Sequence, residues 1–391
     1  MAVKTNCVKN GIKYYRLTAV IGHDDKGKPI RKEFYGKGKS DAETQRDEYL
    51  DNIKNGLKHD YKDMILGKLF HSWLFEKLRV SSEIKPSTFQ RYEGIYRNYI
   101  KESNLYGLKI SDIKSIQIQR YYNILSENGK SNNVIKNLNK LLKTFFNYAV
   151  DEGYLLKNPC NGKKIVIPGT TEKTDNDEIE VFTDNEIISI QKTLEEHRLK
   201  CLILLDLGTG LRQGELLGLK NKDIDLENME LTVSQTIKQV NIIDKDGNKE
   251  YKTIEQTPKT KSSLRVVPIP SKLKSVIEEF YNLKKIEKLK AGSSYIKNDF
   301  VFTTEIGTTI DARNLTKSYE RILKKANVPY RKFHALRHTY ATKLFEKDIP
   351  LKTVQILLGH SSISITSNIY THVMPKKKTN AAEQLNSLFI L

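Results

Sequence analysis

Between residues 165 and 180 the chain reads IVIPGTTEKTDNDEIE, a stretch of Pro, Gly, Thr and charges with neither a helical nor a strand-like apolar period. A hydrophobic core is not carried through such a stretch. The apolar patterns on its two sides are therefore expected to fold separately, with 165–180 as the linker between them. The length agrees, because 391 residues exceed the roughly 250 to 300 at which a single core stops growing. Two or three domains are expected.

Ahead of the linker two patterns follow one another. From Lys13 to Tyr35, residues Tyr15, Leu17 and Ala19 alternate with Arg16, Thr18 and Val20, HDDKGKP interrupts, and Ile30 to Tyr35 resumes the alternation. This predicts a hairpin. Ser40-Asp41-Ala42-Glu43 then has the form of a capping box opening a helix with Leu50, Ile53 and Leu57 on one face. Residues 1–60 are thus expected to be a small β-sheet backed by a helix. From 64 to 164 the period is helical: Leu66, Leu69, Phe70, Trp73, Leu74 and Leu78; then Tyr92, Ile95, Tyr96 and Tyr99 from near Ser87; then Ile113, Ile116, Tyr121 and Ile124; then Ile135, Leu138, Leu141, Leu142, Phe145, Phe146 and Ala149. A four-helix bundle is expected, with these aromatics in its core. Beyond the linker, Thr183-Asp184-Asn185-Glu186 is a second capping box, and a mainly helical domain with a small antiparallel sheet is expected over 181–391. The fold class is multidomain α+β.

Charge indicates the partner. Lys and Arg number 66 against 47 Asp and Glu, a net charge of +19, and the usual partner of a basic protein is a polyanion. Residues 1–40 alone hold ten Lys and Arg against three acids, net +7. Lys13, Arg16, Lys28 and Arg31 are candidates for DNA contact from that sheet, as are Lys130, Lys136 and Lys140 from the bundle. No run approaches the 18 apolar residues of a membrane span and the N-terminus MAVKTNCVKNGIKYY has no signal-like apolar stretch, so a cytoplasmic protein with no membrane partner is expected. Cys7, Cys160 and Cys201 are too scattered for a disulfide framework or a CxxC metal site. Neither HExxH, a GxxxxGK[ST] loop nor GxSxG occurs. No metal or cofactor is expected.

The chemistry-bearing residues cluster after the linker. In LLDLGTGLRQGELLGL, Leu202 to Leu207 read as a helix broken by Gly208 and Gly210, and Glu215 stands three residues beyond Arg212, where a carboxylate can orient a guanidinium. In TPKTKSSLRVVPIP, Lys259 and Lys261 fall on a turn between strands. His334 and Arg337 share a helical face in HALRH, His360 follows the helix end LLG, and Tyr370 comes ten residues later. Two guanidiniums can clamp a phosphodiester and stabilise a pentacoordinate transition state. Imidazoles and an amine can move protons, and a tyrosine can store the bond as a phosphotyrosyl ester. Such a set cleaves and rejoins DNA without metal or ATP.

GLRQGELLGL, HALRHTYAT and LGHSSISITSNIYTH, in that order, resemble the motifs of tyrosine recombinases, the phage and conjugative-transposon integrases. The resemblance implies that Arg212 and Arg337 bind the scissile phosphate. Tyr370 would attack it to leave a 3′-phosphotyrosyl link, with His334 as base or phosphate contact and His360 as hydrogen-bond donor to the phosphate. Lys259 would be the general acid, with Lys261 as its rival, and Glu215 the supporting acid. Tyr330 and Tyr340 are competing tyrosines, Tyr340 expected as buried support. The resemblance further implies a clamp on a core crossover site, an arm-type second site for the N-terminal domain, a homotetramer in synapsis and an excisionase as a further partner. The spacing from His360 to Tyr370 is one residue longer than in many members, so a bulge within Thr366 to Ile369 is expected. The C-terminal apolar pattern (Ala381, Ala382, Leu385, Leu388, Phe389) would pack on a neighbouring protomer or on its own domain. The competing readings are a type IB topoisomerase and a DNA-binding regulator with a dead site.

Overall fold

The computed structural model describes residues 5–23, 26–58, 60–168, 179–256 and 264–370. The chain divides into two compact units, one of Met1–Lys173 with Ile243–Asn248, the other of Thr174–Ile242 with Lys249–Leu391.

The first unit opens with an antiparallel sheet of β1 (Cys7–Lys9), β2 (Ile12–His23) and β3 (Pro29–Gly36), in that order, followed by α1 (Lys39–Lys54). Pairing of Leu17 with Phe34 and Ala19 with Lys32 puts one face toward α1, while Arg16 with Tyr35 and Val20 with Arg31 lie on the other. Ile21, Phe34, Tyr49, Leu57 and Tyr61 form the core. The strand–helix turn needs Gly36, because a Cβ there would lie 2.3 Å from the Ala42 backbone nitrogen. The expected box at Ser40 does not form. The helix starts two residues early, at Lys39 with Gly38 as its cap, so Ser40 falls inside the first turn, and Asp41 instead accepts the Lys37 backbone N–H at 2.8 Å.

Next come α2 (Leu66–Ser72), which continues as a π-helical turn over Trp73–Leu78, α3 (Pro86–Tyr99), α4 (Ser115–Glu127) and α5 (Asn132–Asp151). Phe70 is central to their core, with its ring centroid 4.5 Å from Phe145 and stacked on Tyr96. The phase of α4 differs from the expected one. Ile113 precedes the helix, and the buried face is Ile118, Tyr121, Tyr122 and Leu125 at helical spacing, leaving Ile116 and Ile124 exposed. Lys130, Lys136 and Lys140 are exposed, as expected of a solvated basic face.

The second unit begins at α6 (Asp184–Thr193), where the expected capping box does form: Thr183 Oγ1 accepts the Glu186 N–H, and Glu186 Oε2 accepts the Thr183 N–H at 2.8 Å. Then follow α7 (Lys200–Thr209), α8 (Gln213–Leu217), β4 (Ile224–Asp225), β5 (Glu230–Val233), β6 (Thr236–Ile243), β7 (Lys249–Gln256) and β8 (Arg265–Pro268). Strands β4, β5 and β8 make one antiparallel sheet, and β6 pairs with β7. Helices α9 (Lys274–Ala291), α10 (Ala312–Lys325), α11 (Ala335–Glu346) and α12 (Leu351–Leu358) complete the named elements, and residues 363–370 are helical. The larger core gathers Leu202, Leu216, Val267, Phe302, Tyr319 and Leu336. A smaller one, of Ala341, Phe345, Val354, Leu358 and Ile369, lies under the chain that carries His360 and Tyr370. Among the described residues no helix is long and apolar enough to cross a membrane.

Candidate active site

The site is built on two helix ends. Helix α7 runs through Gly208, contrary to the expected break, and stops at Gly210, which adopts the left-handed conformation (φ 61). A side chain at Gly210 would strike the Tyr340 ring 2.3 Å away, so both the turn and the packing require glycine. The sharp turn leaves Arg212 extended at the start of α8, with the Glu215 carboxylate one turn on. Glu215 Oε1 accepts from Arg212 Nη1 at 2.6 Å, and Oε2 accepts the Arg212 backbone N–H at 3.0 Å. The i,i+3 spacing thus orients the guanidinium as the sequence suggested, and its side chain remains 38% exposed.

The second end is that of α12. A helix leaves its last carbonyls without partners. Here Gly359, left-handed at φ 64, turns the chain so that its own N–H and that of His360 bond the Ile356 and Gln355 carbonyls. The next three carbonyls each take one arginine: Leu357 O accepts from Arg265 Nε at 2.7 Å, Leu358 O from Arg337 Nη2 at 2.6 Å, and Gly359 O from Arg212 Nη2 at 3.2 Å. Arg337 also donates to Gly210 O at 2.7 Å, so it ties the two helix ends together. It is 1% exposed. Burial, then the Arg212 charge, push its guanidinium down to about 9, still charged at neutral pH. Arg265 donates as well to Glu215 Oε2 at 2.9 Å. Burial raises the Glu215 carboxyl, but the Arg265 hydrogen bond and the charges of Arg265 and Arg212 outweigh it, so the net shift is downward and Glu215 is ionised.

Both histidines of the expected set adjoin these cations. His334 caps α11, its ring 4.6 Å from that of His338 and at 82° to it. Partial burial, then the His338, Arg337 and Arg212 charges, push it down to about 4 against the opposing Glu215 charge. His360 is buried, with Nδ1 2.9 Å from Thr366 Oγ1; burial and the Arg337 and Arg212 charges push it to about 3. Both imidazoles are therefore neutral near pH 7. Tyr370 stands half-buried against Phe345, ring centroids 5.0 Å apart, with no hydrogen bond from its hydroxyl among the described residues. The helix over 363–370 is continuous, so the expected bulge within Thr366 to Ile369 is absent. Tyr340 is half-buried against Gly210, its hydroxyl pushed up to about 12 by burial, while Tyr330 is exposed.

Two contributors escaped the sequence reading. Arg265 was one residue of a strand pattern. Asp206 was one polar position in an apolar helix, yet it is fully buried with no hydrogen-bond partner for either oxygen among the described residues, and burial drives its carboxyl well above the usual range despite Arg337 nearby. Lys259, Lys261 and the apolar pattern over 381–389 lie outside the described residues. Lys13, Arg16, Lys28 and Arg31 are exposed on or beside β2 and β3, Arg16 pairing with Glu33 at 3.2 Å.

The arrangement gathers Arg212, Arg265, Arg337, Glu215 and His360 around the ends of two helices, with His334 at the start of a third. A model of the phage integrase family matches residues 180–377, and one of the phage integrase N-terminal SAM-like domain matches residues 65–126. The Tyrosine recombinase XerC-like protein of Caldanaerobacter subterraneus subsp. tengcongensis is 65% identical over the whole of both chains. The integrase of Staphylococcus phage L54a is 25% identical over 86% of this chain and 97% of its own. Among solved structures, the Tn1549 transposon integrase in complex with transposon right end DNA aligns with a TM-score of 0.65 at 24% identity, over 83% of this chain and 100% of that one. The chain belongs to the phage integrase family. It is a tyrosine site-specific recombinase, an enzyme that breaks and rejoins DNA strands.

Proposed function

We propose that Tyr370 attacks the scissile phosphate, leaving a 3′-phosphotyrosyl link and a free 5′-hydroxyl, within the cation cluster at the end of α12. One observation carries this reading. Among the described residues, Arg212 and Arg265 both pair with one carboxylate, Glu215, while Arg337 is held by the Gly210 and Leu358 carbonyls, so arginine charge exceeds the carboxylate charge paired with it. A pentacoordinate phosphorane carries two negative charges where the diester carries one. A fixed positive field favours the transition state over bound substrate. Arg212, the more open of the two, contacts the phosphate oxygens directly; Arg337 supplies charge from a site where little water screens it. Neutral His334 accepts the Tyr370 proton, and His360 donates to a phosphate oxygen from the ring nitrogen not facing Thr366. Lys259, or Lys261 in its place, protonates the departing 5′-oxygen. Glu215 holds Arg212.

In this reading residues 64–164 and 181–391 grip the core site. Residues 1–60 grip an arm-type site through Lys13, Arg16, Lys28 and Arg31, with Lys130, Lys136 and Lys140 adding backbone contacts. A homotetramer performs strand exchange on cytoplasmic DNA, with an excisionase setting direction. Incubating the full-length protein with a nicked duplex of the attachment sequence flanking its gene tests the polarity. The expected product carries protein on the 3′-phosphate and a 5′-hydroxyl that polynucleotide kinase labels; protein on a 5′ end contradicts the assignment. Joining of two attachment duplexes into recombinants, rather than relaxation of a plasmid alone, separates recombination from topoisomerase action.

A further inference from the structure

We infer that Arg265 is a positioning residue of the cleavage reaction, holding Glu215 and the end of α12 in the arrangement that aims Arg212. The inference rests on the catalytic reading of Arg212 and Tyr370 above.

Arg265 comes from β8, far from both partners in sequence: Glu215 is 50 residues away and Leu357 is 92. Its side chain is 4% exposed and is held by Nε to Leu357 O and by Nη2 to Glu215 Oε2, among its contacts. A planar guanidinium spans two acceptors in fixed geometry, which a lysine ammonium does not. The fork therefore ties the strand, the carboxylate and the helix end into one frame. Each partner in turn touches Arg212: Glu215 through Nη1 and the backbone N–H, and the α12 end through Gly359 O.

Removing Arg265 would act on Arg212 at both points. Leu357 O would be left as a buried acceptor at the negative end of a helix. Glu215 would keep its burial but lose the hydrogen bond that most lowers its proton affinity. The charged and titratable groups then acting on it among the described residues are Arg212, Arg337, His334 and Asp206, whose own carboxyl burial pushes upward. Protonated Glu215 is a poorer partner for the Arg212 guanidinium, and the weakening grows as pH falls. Arg265 differs in this from Arg212, which keeps an exposed edge for phosphate.

The test uses the full-length protein and the nicked attachment duplex, comparing Arg265→Met, Arg265→Lys, Glu215→Gln and the Arg265→Met/Glu215→Gln double variant. Covalent adduct formation is timed from pH 6 to 8, and DNA affinity is measured separately in a Tyr370→Phe background. Arg265→Met is expected to slow cleavage about 100-fold, the order of loss of one preorganised donor, while affinity changes by less than about threefold because Arg265 contacts no phosphate. Its rate should fall as pH drops from 8 to 6 where the wild-type rate does not. The double variant should be no slower than the slower single one, because both changes release the same arginine. Arg265→Lys, keeping charge and losing the fork, should lie between Met and wild type, with a melting temperature near that of wild type. A folded Arg265→Met or Arg265→Lys with wild-type rate overturns the inference, as do multiplying losses in the double variant or an affinity loss that tracks the rate. Should Arg265→Met fail to fold, Arg265→Lys decides. If Tyr370→Phe still forms adduct, it is the catalytic reading that fails; if Tyr370→Phe is inert while Arg265→Met is fully active, only the positioning role is wrong.

Discussion

The outer face of the N-terminal sheet and the end of α12 are both rich in arginine, yet they hold it in opposite ways. On β2 and β3, Arg16 and Arg31 stand in solvent, and the Arg16–Glu33 pair is a surface ion pair of the kind worth about 1 kcal/mol or less. At the end of α12, Arg337 is 1% exposed and Arg265 hardly more, each bound to carbonyls or carboxylate from more than one element. Solvated cations are screened by salt and replaceable by their neighbours. Cations out of water act at full strength and from one fixed direction. The first arrangement suits holding a polyanion, the second stabilising a charge that exists only in a transition state.

The sharpest break between the two regions is expected at Arg337. Arg337→Ala should cut adduct formation by about 1,000-fold or more at saturating DNA, and it also leaves Gly210 O and Leu358 O without a donor, so melting should be followed alongside. For the lysines, replacing the leaving 5′-oxygen by sulfur removes the need for an acid. Whichever of Lys259→Ala and Lys261→Ala loses about 100-fold or more on ordinary DNA and recovers on the 5′-thio duplex is the general acid. In the N-terminal sheet, by contrast, Arg16→Ala with Arg31→Ala should leave the saturated cleavage rate unchanged. It should reduce the slope of log affinity against log salt by roughly one per lost phosphate contact. A rate loss at saturation in that variant would erase the distinction.

Two gentler effects sharpen it further. His334 and His360 titrate lower in the folded chain than the ordinary imidazole value of 6.5, at about 4 and about 3. Below pH 6.5 the unfolded chain binds more protons than the folded one, so stability is lost as pH falls from 6.5 toward 4. Melting curves of the full chain across that range should show the decline, and it should be reduced in His360→Gln. The smallest effect is expected at Asp206, whose carboxyl burial pushes well above its ordinary range and so toward the neutral form: Asp206→Asn should move the cleavage rate by less than about threefold.

Much of this was legible in the sequence, and the omissions have a common cause. Arg212 with Glu215, and His334 with Arg337, sit within a helical turn of each other, so spacing alone put them together. The Thr183 cap and the alternation in β2 were legible for the same reason. Arg265 was not, because its partners come from α8 and α12 and only the fold joins them. The α4 phase was misread because Ile113, outside the helix, was counted in its period. The cap lies at Gly38, two residues before Ser40, since a box motif does not say which residue the helix starts on. Nor does helical periodicity distinguish Gly208, inside α7, from Gly210, which ends it; that is decided by where the chain must turn to reach Arg212.

The central claim is that the arginine cluster at the end of α12 serves an attack by Tyr370. The most direct measurement is mass-spectrometric mapping of the covalent product trapped on the nicked attachment duplex, after digestion of both protein and DNA. The account predicts a nucleotide ester on Tyr370 in the wild-type chain and no covalent product from Tyr370→Phe. An ester on Tyr340, Tyr330 or any other residue, or a product that persists in Tyr370→Phe, would contradict it.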